Sequence, residues 1–165
     1  MFQSIKNIVF FTAFLVGFLA CSTGNKENKQ VFRYNEPTGI ASLDPAFAKN
    51  QSILWAVNQL YNSLVETDSN LQVKPSLAKS WDISEDLMTY RFHLRTDVFF
   101  HDNAGFPDGK GRKMIADDVV YSFKRIVNPA TARPGAWIFN NRIDSSNGFS
   151  AIDDSTFQLK LLRPF

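Results

Sequence analysis

One cysteine in 165 residues rules out an intrachain disulfide. Histidine is almost as scarce: His93 and His101 both lie in the stretch RFHLRTDVFFHD, from Arg91 to Asp102, so imidazole chemistry has one place to be sought. Neither sign of charge is in large excess. Eighteen lysines and arginines against sixteen acids give a formal +2, and the basic residues are scattered among acids without a stripe, which argues against nucleic-acid binding. The apolar run Ile8 to Ala20 has 13 residues, short of the roughly 18 to 20 needed to cross a bilayer, so a permanent transmembrane helix is the weaker alternative. The glycines at 105, 109 and 111 lack a following lysine and serine or threonine, so a phosphate-cradling loop is not indicated. No motif for a nucleophile or a convergent acid/base group is present.

What is present is a core-forming composition: 44% hydrophobic residues, 21% charged, and sixteen phenylalanines predict a packed, aromatic interior. The first thirty residues have the order of an export signal. Lys6 lies in a short n-region without acids, Ile8 to Ala20 form an uncharged h-region, and polar sequence begins at Ser22. Cys21 follows "FLA" at the point of cleavage, which resembles the lipobox of bacterial lipoproteins, with Phe18 where leucine is usual. That resemblance implies a signal peptide over 1–20, a diacylglycerol-bearing Cys21 and membrane lipid as the thiol's partner; the alternative is a free thiol at the end of a hydrophobic helix. Ser22 to Gln30 reads as a flexible tether.

Folded sequence is expected from Val31. "VFRY" favours a strand and "NEPTG" a turn, and "LDP" precedes a helix capped by Asn50 or Ser52. Ile53, Val57, Leu60 and Leu64 step by four, three and four residues, which predicts one apolar helix face. From Val73 the pattern changes to short strands. "VKPSLAKSWDIS" is one, and in the next segment Tyr90, Phe92 and Leu94 alternate with Arg91, His93 and Arg95; "SEDL" between them predicts an antiparallel hairpin from Trp81 to Leu94. His93 then lies between two arginines on the solvated face, a poor metal site.

His101, Asp102 and Asp108 share the long turn HDNAGFPDGKGRK. The acids do not alternate and no glutamate closes the turn, so it is no EF-hand, though calcium stabilisation of the turn stays open. A helix is predicted from near Asp117, with Asp117 and Asp118 compensating its dipole, Val119, Phe123 and Ile126 on one face, Lys124 and Arg125 near its end, and "NP" stopping it.

The order LDP, YNSLVETD, PSLAKSWDISEDLMTYRFHLRTDVFFHD, ADDVVYSFKRI and AIDDSTFQLKL resembles the N-terminal part of the family 5 solute-binding proteins, the extracytoplasmic oligopeptide- and dipeptide-binding components of ABC importers. The signature positions are Ala78, Trp81, Asp86, Thr89, Tyr90, Phe92, Leu94, Arg95, Val98, Phe100, His101 and Asp102, followed by Asp117, Asp118 and Val119. Two features depart from the family pattern: the turn after His101-Asp102 is enlarged, and Ile115 replaces a helix-capping threonine, so Asp117 or a backbone rearrangement is expected to do its work.

The resemblance implies a mixed α/β fold, part of a two-lobed type II periplasmic-binding-protein clamp. Residues 31–43 would form the first strand of lobe one, and 44–162 an accessory subdomain with an antiparallel sheet and flanking helices. The chain's end on LLRPF reads as that of a fragment. It further implies a monomeric, non-enzymatic, cofactor-free lipoprotein of the cell envelope whose partners are a peptide ligand and permease subunits. Lys49, Asn50 and Gln51, just after LDP, are the nominated ligand-facing residues. Alternatives are a family 5 protein for nickel, haem, glycans or opines, a small stand-alone structural lipoprotein, and a metal-assisted hydrolase using His101, Asp102 and Asp108.

Overall fold

The structure is a computed structural model, in which residues 31–130, 134–144 and 146–164 are described. The expected signal peptide, Cys21 and the tether lie outside them. Contacts divide the chain into residues 1–35 and 36–165. In the first unit the described residues, Val31 to Asn35, have no regular secondary structure.

The strand expected over 31–43 does not form: this stretch is assigned to no sheet and holds only a turn near Pro37, where Gly39 takes φ +72°. Val31, Phe32 and Tyr34 favour extended backbone, but β-propensity is a fit to a pleated surface beside a partner, and no described strand supplies one.

In the second unit a 3-10 turn at Pro45–Phe47 precedes helix α1, Gln51–Leu60. Asn50 rather than Ser52 caps α1, its Oδ1 accepting the Ile53 amide at 3.1 Å. The helix buries Ile53, Ala56 and Val57, whereas Leu60 is 56% exposed and Leu64 lies beyond the helix. The expected four-residue face is therefore cut short. Its last member lies in a bend outside the helix, where the Leu64 carbonyl accepts the amides of Ser76 (3.3 Å) and Ala78 (2.9 Å).

Strands β1 (Val65–Thr67) and β2 (Val73–Pro75) form a small antiparallel ribbon. At its turn Asp68 accepts the amides of Asn70 and Gln72 and pairs with Lys74 at 2.9 Å. The segment expected as one strand over VKPSLAKSWDIS is two, because Ser76 and Leu77 divert their amides to Leu64 and Ser63 between β2 and β3.

The main sheet has four antiparallel strands in the order β3-β4-β6-β5: β3 (Ala78–Ile83), β4 (Thr89–Leu94), β5 (Phe149–Asp153) and β6 (Thr156–Lys160). The predicted hairpin is β3–β4, with Trp81 opposite Phe92 and Ile83 opposite Tyr90. Its turn is tied by Asp86, which accepts the Ser84 hydroxyl (2.5 Å) and the Met88 amide (3.0 Å), while Ser84 Oγ accepts the Thr89 amide (2.9 Å). These side-chain bonds hold Leu87 at φ 57°, a left-handed conformation that a leucine adopts only at a cost.

Alternation then sorts the sheet into two faces. Ala78, Leu94, Phe149 and Phe157 are all buried on the face covered by helix α2, Ala116–Val127. The Phe123 ring of α2 lies 5.2 Å from those of both Phe149 and Phe157, and Phe92 and Phe139 extend the cluster. Offset and edge contacts of this kind add to the area that the rings remove from water. The opposite face carries Ser80, Asp82, Arg91, His93 and Gln158, with Arg91 Nε donating to Gln158 Oε1 at 3.1 Å across strands.

Candidate functional site

The three nominated residues, Lys49, Asn50 and Gln51, are consecutive, exposed, and placed at the first turn of α1. Asn50 Oδ1 is committed to the cap, which leaves its amide nitrogen for outside partners.

The segment leading into them is held on several sides. Asp44, of LDP, caps the 3-10 turn by accepting the Ala46 amide (3.0 Å), and its own amide donates to Ser42 Oγ (3.1 Å). Both its carboxylate oxygens face Arg125 of α2: Nη1 donates to Oδ1 at 2.6 Å and Nη2 to Oδ2. The Arg125 guanidinium holds the Asp44 carboxyl below its ordinary range, and the carboxylate raises the arginine in turn. Tyr61, which ends α1, and Tyr121, one turn before Arg125, also bias the guanidinium toward its charged form. Beyond the cap, the hydroxyls of Thr38 and Ser52 are 2.8 Å apart.

Arg125 was expected only as a favourable charge near a helix end. Its partner lies 81 residues upstream, and no local pattern announces such a pair.

The enlarged turn is a self-contained loop. Phe100 donates its amide to the Arg112 carbonyl (2.9 Å) and Met114 to Val98 (3.0 Å), which closes the stem, and Phe99 bridges Lys113. Asp102 latches the interior, Oδ1 accepting the Gly111 amide (3.0 Å) and Oδ2 the Lys110 ammonium (2.6 Å); Lys110 is the main reason the Asp102 carboxyl is lowered. His101 and Asp108 are exposed on this loop, and both Asp102 oxygens are already engaged. Among the described residues no three histidines, cysteines or acids are grouped to hold a metal ion.

At the start of α2 no side chain does the capping threonine's work: the Asp118 amide donates to the Ile115 carbonyl at 3.0 Å, and Asp118 rather than Asp117 supplies the reciprocal contact. Asp118 Oδ2 accepts the Ile115 amide at 2.9 Å, one half of a capping box; Ile115 has no side-chain acceptor to supply the other half. The carboxylate also takes the fork of Arg112 at 2.8 and 2.5 Å, so this acid does more than compensate the helix dipole. Arg112 lies 5.0 Å over the Phe100 ring as well, joining loop and helix.

His93 has a different neighbourhood from that expected. Its Nε2 is 2.7 Å from Asp82 Oδ2 of β3, so an acid sits beside it as well as the flanking arginines. Arg95 turns to Asp97 (3.0 and 2.9 Å).

Residues 72–165 match the bacterial extracellular solute-binding proteins, family 5, over the region described as its middle. The chain belongs to this family. Among relatives, it is 32% identical over 149 residues to the Escherichia coli protein named "Probable deoxycholate-binding periplasmic protein YgiS" (82% of this chain, 26% of that one). It is 38% identical over 115 residues to the dipeptide-binding protein of Escherichia coli (64% and 21%). Among solved structures, the Helicobacter pylori periplasmic binding protein DppA, in complex with the peptide STSA, superposes with a TM-score of 0.63 at 32% identity, over 76% of this chain and 26% of that one.

The chain thus spans about a quarter of the length of the relatives it matches. The family 5 relatives are extracytoplasmic solute-binding proteins, mostly named for peptides, with haem and nickel also represented. Their fold is that of type II periplasmic binding proteins, and the mixed α/β architecture with antiparallel sheets described above is part of it. Among the described residues no helix is long and apolar enough to cross a membrane.

Proposed function

We propose that this chain is part of the peptide-binding component of an ABC importer, with 44–162 as its accessory subdomain and 31–43 leading from lobe one. In that reading an extended peptide lies between two lobes, its backbone hydrogen-bonded, its termini paired with charged groups and its side chains in watered pockets. Closure about a hinge then presents a surface to the permease. Lys49, Asn50 and Gln51 face the ligand. Cys21 carries lipid that holds the monomeric protein at the membrane, facing the periplasm or exterior.

The observation that carries this reading is the family match over 72–165, together with peptide-binding relatives in both sequence and structure. Binding rather than catalysis also suits the carboxyls. Asp44, Asp68, Asp86, Asp102, Asp118, Asp144 and Asp153 are each shifted downward by a neighbouring cation, hydroxyl or amide, the state of a structural acceptor rather than of a general acid.

The test is uptake in cells whose gene for this protein is disrupted. Labelled di- to pentapeptides should enter more slowly, with restoration by the intact gene. Unchanged peptide uptake with a loss of nickel or haem uptake would replace peptide by that ligand.

A further inference from the structure

The ion pair between Asp44 and Arg125 joins two parts of the chain that neither helix propensity nor sheet pairing connects. Asp44 lies six residues before Asn50, the cap of α1, and Arg125 sits in the last turn of α2. One guanidinium is thereby tied to the approach to α1. The intervening 3-10 turn, Pro45–Phe47, is short and pre-set by proline, and it packs against the turn at Pro134–Ile138.

We infer that Asp44 and Arg125 are a positioning pair: their two-pronged contact fixes Lys49, Asn50 and Gln51 as a preformed edge of the ligand site. This rests on the peptide-binding reading for what the edge contacts. The physical basis is preorganisation, since a segment already ordered before the ligand arrives adds no ordering cost to binding.

Arg125 suits the role better than lysine would, because its planar fork sets the orientation of the carboxylate and not only its distance. The pair is separate from what holds the sheet together. The buried cluster of Ala78, Leu94, Met114, Ala116, Val119, Val120, Phe149 and Phe157 includes neither residue, so breaking the tie should loosen the 44–51 segment while leaving that cluster intact.

The experiment is hydrogen exchange, with peptide affinity measured in parallel, on the intact protein and on Asp44→Asn, Arg125→Met, Arg125→Lys and Arg112→Met. Asp44→Asn retains a side-chain oxygen for the Ala46 amide while removing the charge and one of the two acceptors that face Arg125, so it guards against a variant that fails to fold. Arg112→Met breaks the ion pair at the other end of α2 and serves as the control.

The expected result is faster exchange across 46–54 in Asp44→Asn and Arg125→Met, with β3 to β6 unchanged. Affinity for a labelled tripeptide mixture should fall by roughly tenfold. Arg125→Lys should fall between wild type and Arg125→Met, and Arg112→Met should leave 46–54 as protected as wild type. Unchanged exchange at 46–54 overturns the inference, as does faster exchange without loss of affinity, or equal loosening in Arg112→Met. If the wild-type protein binds none of the peptides, the peptide reading fails, while the exchange results still decide whether the pair positions the segment.

Discussion

Gly111 lies against the backbone of Phe100: a Cβ at Gly111 would stand 1.7 Å from the Phe100 carbonyl oxygen and 2.9 Å from that of His101. These contacts are with main chain, which cannot swing aside, so the enlarged loop closes only with glycine at that position. Gly111→Ala should force the two stem strands apart, disturb the amide bond from Phe100 to Arg112 and unseat Arg112 from the Phe100 ring. A loss of about 1 to 3 kcal/mol is expected, measured as a lower denaturation midpoint. Gly105→Ala is the comparison: its Cβ would meet only the Asn103 side chain, at 3.3 Å, and a much smaller effect is expected. Equal effects would mean that the stem contact is not what restricts the loop.

The half-made capping box at Ile115 can be completed. Threonine there would supply an acceptor for the amide three residues on, while Asp118 already holds the Ile115 amide. Ile115→Thr should stabilise by about 0.5 to 1 kcal/mol after some loss of apolar contact. Thermal denaturation reads this as a higher midpoint. A lower midpoint would show that the isoleucine side chain contributes more through packing than the missing cap costs.

Asp118 sets a direction for the response to acid. Its carboxyl is lowered chiefly by the Arg112 hydrogen bond, against an opposing effect of burial, with the Ile115 amide adding a smaller downward contribution. The unfolded chain therefore binds the proton more readily than the folded one. The stabilisation is fully present above the unfolded value of about 3.9, and is lost as pH falls through the lower folded value. Asp118→Asn should remain less stable than wild type at neutral pH, and the difference should shrink below about pH 4. Denaturant titrations at several pH values check this. A difference that grows on acidification would contradict the assigned ion pair.

The proposed lipid attachment at Cys21 predicts that Cys21→Ser leaves an uncleaved precursor that takes up no labelled fatty acid. Processing and labelling of that variant at wild-type levels would remove the lipoprotein assignment.

Much of the local structure was legible in the residues themselves. The alternation of Tyr90, Phe92 and Leu94 with Arg91, His93 and Arg95 does place one set toward the phenylalanine cluster and the other on the polar face, because strand geometry leaves successive side chains no other choice. Asn50 could be read as a cap, since its short amide reaches the amide of Ile53. The helix face ending at Leu64 was misread for the converse reason: a period of 3.6 continues on paper past Leu60, but Leu64 lies in a bend outside the helix, its carbonyl accepting the amides of Ser76 and Ala78. His93 lies on the polar strand face as expected, but only the fold shows that Asp82 reaches it from the adjacent strand, since its neighbours along the chain are arginines.

By itself the sequence determined the β3–β4 hairpin, the two helices, an aromatic interior and membership of a solute-binding family, all of which depend on side-chain period, turn chemistry and the order of short motifs. Tertiary structure alone decided that Arg125 holds Asp44, that Asp118 rather than Asp117 serves Ile115 and Arg112, and that phenylalanines from β4, α2, β5 and β6 meet in one cluster. The physical reason is distance along the chain. A cap or a turn is selected by atoms a few residues apart, whereas the partner of Arg125 lies 81 residues away and is chosen only when the packed helix brings the two together.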